Sequence, residues 1–405
     1  MIDGRWRITR AVSFLFLILF LPGGLGAGPD RTTEVTLVGV PGGGIQPQAA
    51  VDGEGTLHVV YYGGDPRGGD LFYVRSEDDG RTFSLPIRVN SQPGSAVATG
   101  TIRGAQIALG AGGRVHVVWN GAVGAAPKGA LDPDRAADDP HNGLPMLYSR
   151  LDDAGPGFEP QRGLMKRTFG LDGGGSVAAD GAGNVYVVWH ARGRDSAPGE
   201  SGRGVWLAVS RDGGQSFSQE VPAGSQSSGA CGCCGLRAFA DSGGRVYALY
   251  RTARELVHRD VHLLVSADTG HSFREAGVDT WNVAACPMSA MSFTEGAGGV
   301  LGAWQTGQQV YFAAIDPSSP GTLEPVSAPG PGNRRKYPGL ARGPSGQTIF
   351  LWSENAAWKT GGSLAWQAFD RDGIPVGARG VGPEVPGWSF GAVVVRGDGG
   401  FTVLY

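Results

Sequence analysis

The pattern that most constrains this chain is a Gly-containing turn followed by an alternating apolar strand that ends in an aromatic residue. It reads GEGTLHVVYY from residue 53, GAGGRVHVVW from 110, GAGNVYVVW from 181 and DSGGRVYALY from 241. It returns as GAGGVLGAW from 296, GPSGQTIFLW from 343 and GDGGFTVLY from 397. The units recur roughly every 50 to 70 residues, the spacing of propeller blades rather than of helical solenoids. A short apolar segment precedes each turn, as in PQAAVD, AQIALG, SVAAD and PGLAR. Most units continue into a third strand such as LFYVRS, VWLAVS or VHLLVS, and a fourth such as LPIRVN follows. The repeating unit is therefore a four-stranded antiparallel meander. Composition agrees: with 71 Gly, 26 Pro and only 18% charged residues, the chain is turn-rich and short of good helix formers, which predicts an all-β protein.

A second motif, Ser-x-Asp-x-Gly-x-Ser/Thr-Phe, occurs as SEDDGRTF from 76, SRDGGQSF from 210 and SADTGHSF from 266. Each copy follows a third strand. The Asp can accept hydrogen bonds from nearby backbone N–H groups, and the Gly takes the positive φ that a tight turn needs. Phe83, Phe217 and Phe273 are expected to fold back between sheets. The motif reads as a structural clip, so Asp78, Asp212 and Asp268 are not candidates for catalytic acids.

Together these features resemble the sialidase superfamily of β-propellers, whose repeats carry such Asp boxes. The resemblance spans nearly all of residues 34–405. It implies a propeller of four-stranded blades, seven by the count of units and six if one is misread. The lone strand EVTLVGV (34–40) is expected to complete the last blade, which has only two strands of its own, and so remove free sheet edges.

Residues 1–27 read as an export signal: Arg5, Arg7 and Arg10, then the apolar run AVSFLFLILFL, then Leu25-Gly26-Ala27 for cleavage. An uncleaved anchor is the alternative, although the run is short for a membrane span. The expected location is periplasmic or extracellular. The whole chain has a net charge of −3; without three Arg and one Asp of that segment, 31 basic face 36 acidic residues, giving −5. Neither nucleic acid nor an anionic membrane is an expected partner.

In such a blade, the start of strand one and the end of strand two share one face, and the clips lie on the other. Just past the aromatic that ends strand two stand Tyr62, Asn120, His190, Arg251, Gln305 and Ser353. They are polar and differ from unit to unit, as a binding ring would. Long connections at 121–145, 191–203 and 252–260 reach the same face. The first reads as a mobile lid or as disorder, and the last, RTARELVHRDVH, as a solvated loop or an anion-binding wall. Arg103, Arg251, Arg259 and Lys336 would suit an acidic ligand.

The resemblance implies three Arg holding a substrate carboxylate, an Asp acid/base, and a Tyr nucleophile helped by a Glu. The family's Arg-Ile-Pro motif falls on GIQPQ, which puts Ile45 where the Arg should be; Arg103 could substitute, with Ala105 in place of the Pro. By chemistry alone, Asp260 or Glu354 is the acid/base candidate and Tyr337 the nucleophile candidate. Glycoside hydrolysis is thus left open. The expected partner is a glycan or small anionic ligand bound at the channel mouth by Arg103, Asn120, His190, Arg251, Arg259, Gln305 and Lys336.

The four Cys support a different reading. GACGCCGLR places Cys231, Cys233 and Cys234 at the start of the fourth unit, and AACPMSAM places Cys286 at the start of the fifth. A disulfide from Cys286 to one of the three would staple two blades. A soft metal such as Cu(I), with Met288 and Met291 nearby, or Zn with His258 or His262, is the alternative, although the spacing fits no standard zinc module. A reactive thiol site is a third reading. No cofactor is otherwise expected. The rival to a glycan-binding propeller is therefore a non-catalytic one, serving as a protein-interaction platform or as a thiol or metal site.

Overall fold

The computed structural model describes Met1 and residues 33–405, so the expected export signal lies outside the described residues. Each Gly-containing turn closes a hairpin, and each hairpin begins a sheet. Six sheets have four antiparallel strands in sequence order. Blade 1 is Ile45–Val51, Leu57–Gly63, Asp70–Ser76 and Ile87–Arg88. Blades 2 to 6 repeat that order, with inner strands Gln106–Leu109, Ser176–Ala179, Arg237–Ala240, Ser292–Gly296 and Lys336–Arg342. Blade 7 pairs Ala392–Val395 with Phe401–Leu404.

The ring closes as expected, with one difference of detail. Strand Val35–Val38 adds to Phe401–Leu404, giving blade 7 three strands, and it pairs in parallel: Val35 opposite Phe401 and Val38 opposite Leu404. The described residues thus form seven blades.

The second strands explain why the sequence pattern is so apolar. Val115–Asn120, Val185–Ala191 and Val246–Arg251 are buried at every position. A neighbouring blade covers each face of the sheet, so no side of these strands meets water. The terminal Trp119, Trp189, Trp304 and Trp352 are fully buried, each removing roughly 150–250 Å² from solvent. Most also satisfy their indole N–H. Trp189 donates to Thr168 Oγ1 at 3.1 Å, Trp304 to Asp279 Oδ2 at 2.8 Å and Trp352 to Glu354 Oε1 at 2.9 Å.

The Ser-x-Asp-x-Gly turns are local clips. In blade 4, Asp268 accepts from Ser266 Oγ at 2.7 Å, Ser272 N at 2.9 Å and Ser272 Oγ at 2.6 Å. Ser266 Oγ in turn accepts from Gly270 N at 2.8 Å, and Gly270 has φ +86°. Backbone and hydroxyl hydrogen bonds from Thr82 hold Asp78 down to about 2, well into the ionised range. Phe217 packs edge-on against Tyr148 of the preceding blade, with ring centroids 4.7 Å apart.

The connection 121–145 is tied to blade 3. Arg192 from blade 3 places Nη2 2.6 Å from each Asp132 oxygen and donates to Asp134 at 2.7 Å. Asn142 Oδ1 accepts from Asp132 N at 2.7 Å. The acidic residues that make the segment look mobile are what fasten it.

Candidate functional site

The starts of the inner strands and the ends of the second strands gather at one face. There the loop Cys231–Gly235 enters blade 4. Cys231 N donates to Arg251 O at 2.9 Å, Gly232 N to Glu200 Oε1 at 3.0 Å, and Gly235 N to Ser289 O at 2.9 Å. Blades 3, 4 and 5 therefore all grip this loop. The grip folds three thiols inward. The Cys231 sulfur lies 3.0 Å from that of Cys234 and 3.4 Å from that of Cys233, and all three fall within 4.8 Å of one another. Cys231 and Cys234 are buried and Cys233 is half-buried.

Positive groups surround the cluster. Arg259 donates to Glu200 Oε2 at 2.8 Å, and its buried Nε and Nη1 find no protein acceptor. Lys336 Nζ donates to Pro287 O at 2.6 Å; burial lowers its pKa, while the charges of Cys234 and Cys233 oppose that shift. Burial likewise opposes ionisation of Cys234. Hydrogen bonds from Cys231 and Cys233, the Arg251 charge and the Ser289 hydroxyl outweigh it and hold Cys234 well below the ordinary thiol range. Cys233 moves up, first through its hydrogen bonds to the other two sulfurs and then through burial.

The expected disulfide is not formed: all four cysteines are free. Cys286 occupies the place on blade 5 that Cys231 occupies on blade 4, but its side chain is exposed while Cys231 and Cys234 are buried. Sequence equivalence located the residue and did not orient it. His258 and His262 are also committed elsewhere, His258 Nδ1 to Asn282 Oδ1 at 2.8 Å and His262 Nδ1 to Glu275 Oε1 at 2.7 Å.

The ring after the terminal aromatics does lie at this face, but its groups face protein. Arg251 is 2% exposed. It donates from Nε to Ser289 Oγ at 2.8 Å, from Nη1 to Arg259 O and from Nη2 to Gln305 O, and its Cζ lies 5.0 Å over the Trp281 ring. Arg103 donates to Asp172 O, Asp172 Oδ1 and Thr99 O at 2.5–2.6 Å. Neither keeps a free edge for a carboxylate. Glu354 is taken up by Arg335 at 3.1 Å, by Arg379 and by Trp352. Asp260 accepts from Trp281 N at 2.9 Å. Tyr337 is buried and its hydroxyl accepts from Thr101 at 2.8 Å. His190, kept neutral by burial, points Nε2 at Cys234 O, 2.9 Å away. Asn120 donates to Asp172 O at 3.0 Å, and Gln305 to Gly307 O at 3.2 Å.

Sequence reasoning missed one pair at this face. Trp358 is 43% exposed and meets Trp388 edge-on, with centroids 6.4 Å apart. Gln46, from blade 1, donates to Trp388 O at 2.7 Å, which ties that aromatic sector to the ring. The signal available was two Trp outside the terminal-aromatic positions.

No family model and no curated protein matches this sequence. Solved structures do resemble it. A protein of unknown function from Dyadobacter fermentans superposes with a TM-score of 0.53 at 14% identity, over 86% of this chain and 97% of that one. The α-L-arabinanase of Penicillium chrysogenum, complexed with arabinobiose, gives 0.51 at 12% identity, over 83% and 95%. The intramolecular trans-sialidase of Ruminococcus gnavus gives 0.47 at 12%, over 82% and 95%. The likeness is one of fold. The chain is a seven-bladed β-propeller, and its chemistry has to be read from its own residues.

Proposed function

We propose that this protein is an exported propeller that binds a soft monovalent metal ion, Cu(I), on Cys231, Cys233 and Cys234. One observation carries the reading: three sulfurs from a four-residue loop lie within 4.8 Å of one another. Thiolates select soft ions. Among the described residues no His, Asp, Glu or further Cys joins the three sulfurs as a fourth ligand, which suits trigonal Cu(I) better than Zn, whose structural sites take four. Arg259, Lys336 and Arg251 offset the negative charge of a tris-thiolate complex. Glu200 holds both the loop and Arg259, so it supports the site without joining it.

The test is anaerobic titration with Cu(I) against a chromogenic chelator, with metal content measured per chain. One tightly held Cu per chain, with three sulfur neighbours by X-ray absorption, is expected. Binding no tighter than that of a Cys231→Ser/Cys233→Ser/Cys234→Ser variant overturns the reading.

A second reading keeps a glycan as ligand, and the exposed Trp358 against Trp388 favours it, since an aromatic face can stack on a sugar ring. The arabinanase likeness is compatible with this at the level of fold. Retention on immobilised arabinan or a sialoside, lost in Trp358→Ala, is the expected result. Equal retention of the variant, or none by the parent, removes it. Hydrolysis gains no support from Arg103, Arg251 and Glu354, whose polar groups are already bound within the protein.

A further inference from the structure

Seven residues occupy one level of the channel wall. Each lies on an inner strand opposite the residue that precedes a terminal aromatic: Gln48 opposite Val60, Gln106 opposite Val118, Ser176 opposite Val188, Arg237 opposite Leu249, Ser292 opposite Ala303, Gly339 opposite Leu351 and Ala392 opposite Leu404. Six of the seven are uncharged. Arg237 alone carries a charge, and it reaches across the channel: Nη1 donates to Gln48 Oε1 at 2.7 Å and also to Gln106 Oε1.

Those two amides leave the guanidinium half used. Among the described residues no protein acceptor takes Nε or Nη2, and no charged group offsets the cation; burial pushes it down to about 10, still protonated at neutral pH. Arg237 is half-buried, and a cation partly withdrawn from water without a counter-charge is costly. Nε–H and Nη2–H form one edge of the planar fork, the edge that binds a planar oxyanion through two parallel hydrogen bonds. Arg237, Gln48, Gln106 and Ser292 line a cavity of about 120 Å³, whose wall also includes Ile102, Met291 and Tyr337. Ser176 Oγ, on the same ring, is buried without a protein partner.

We propose that the channel holds a small planar monovalent oxyanion, of the formate, bicarbonate or nitrate type, on the Nε/Nη2 edge of Arg237. A single cation at this level matches a single negative charge. A dianion would leave one charge uncompensated, and a halide could not use both donors in parallel. The site is independent of the thiol cluster and stands or falls apart from it.

The experiment is thermal unfolding of the mature protein at constant ionic strength, titrated with formate and nitrate, with chloride and sulfate as controls. Formate and nitrate should raise the melting temperature saturably, beyond either control. Arg237→Lys keeps the charge and loses the fork, and should weaken the apparent affinity at least tenfold. Should that variant not fold, Ala290→Met, which adds bulk to the same cavity from blade 5, should abolish the saturable rise. No saturable difference from the controls in the parent protein overturns the proposal, as does a response that either folded variant retains in full.

Discussion

Cys231 and Cys234 hold their sulfur atoms 3.0 Å apart, while Cys286, at the matching place one blade on, faces solvent. Thiol reactivity follows exposure and thiolate access. A disulfide reagent added to the reduced, metal-free protein should therefore modify Cys286 first, with Cys231 and Cys234 slowest. After Cu(I) loading, Cys286 should still react and the other three should not. Mass spectrometry of digested peptides reads the order. Early modification of Cys231 or Cys234 contradicts the burial, and protection of Cys286 by copper contradicts the assigned ligand set.

Arg251 is a structural cation. Three nitrogens serve Ser289, Arg259 and Gln305, so Arg251→Met leaves two backbone carbonyls without their donor. Each orphaned buried group costs about 1–3 kcal/mol. The variant should lose about 2–6 kcal/mol in urea unfolding, through a lower midpoint at unchanged slope. Had Arg251 been a ligand clamp facing open solvent, the midpoint would not move.

These two outcomes mark where sequence stops being informative. The seven units were legible because turn chemistry and strand alternation are local, and each is spelled out within about ten residues of chain. The ring Asn120, His190, Arg251, Gln305 was placed at one face because it follows from the blade register. What those side chains touch was not legible. Arg251 ends on carbonyls from residues 259 and 305, and Glu354 meets Arg335 and Arg379, contacts that depend on how loops and blades pack. Arg237 carried a readable signal, an Arg where blades 1 and 2 place Gln, but its meaning needs the opposite wall of the channel.

His116 gives a pH dependence. Burial pushes it down to about 3, and its Nδ1 lies 2.8 Å from the Tyr148 hydroxyl. The folded state keeps the imidazole neutral where the unfolded chain, with an ordinary value near 6.5, takes up a proton. Its contribution is therefore complete above about pH 6.5 and is lost as pH falls toward 3. The full span is on the order of 4–5 kcal/mol. His116→Gln should flatten the parent's stability profile between pH 6.5 and 4, measured by urea midpoints. An unchanged slope means another group sets it.

The closing strand should be separable from the rest of the ring. Val35 and Val38 pack into the apolar clusters around blade 7, and Arg396 hydrogen-bonds Thr36 and pairs with Glu34 at 3.0 Å. Deleting residues 34–38 leaves blade 7 with two strands and bares the backbone groups of Phe401–Leu404, an open edge that invites pairing with another chain. The deletion variant should unfold at lower urea and elute partly as larger species. A synthetic peptide of residues 33–40, added in trans, should return both toward the parent by supplying the missing strand. An unchanged midpoint in the deletion would mean that contacts of the Ala392–Val395 strand with blades 1 and 6 are sufficient to close the ring.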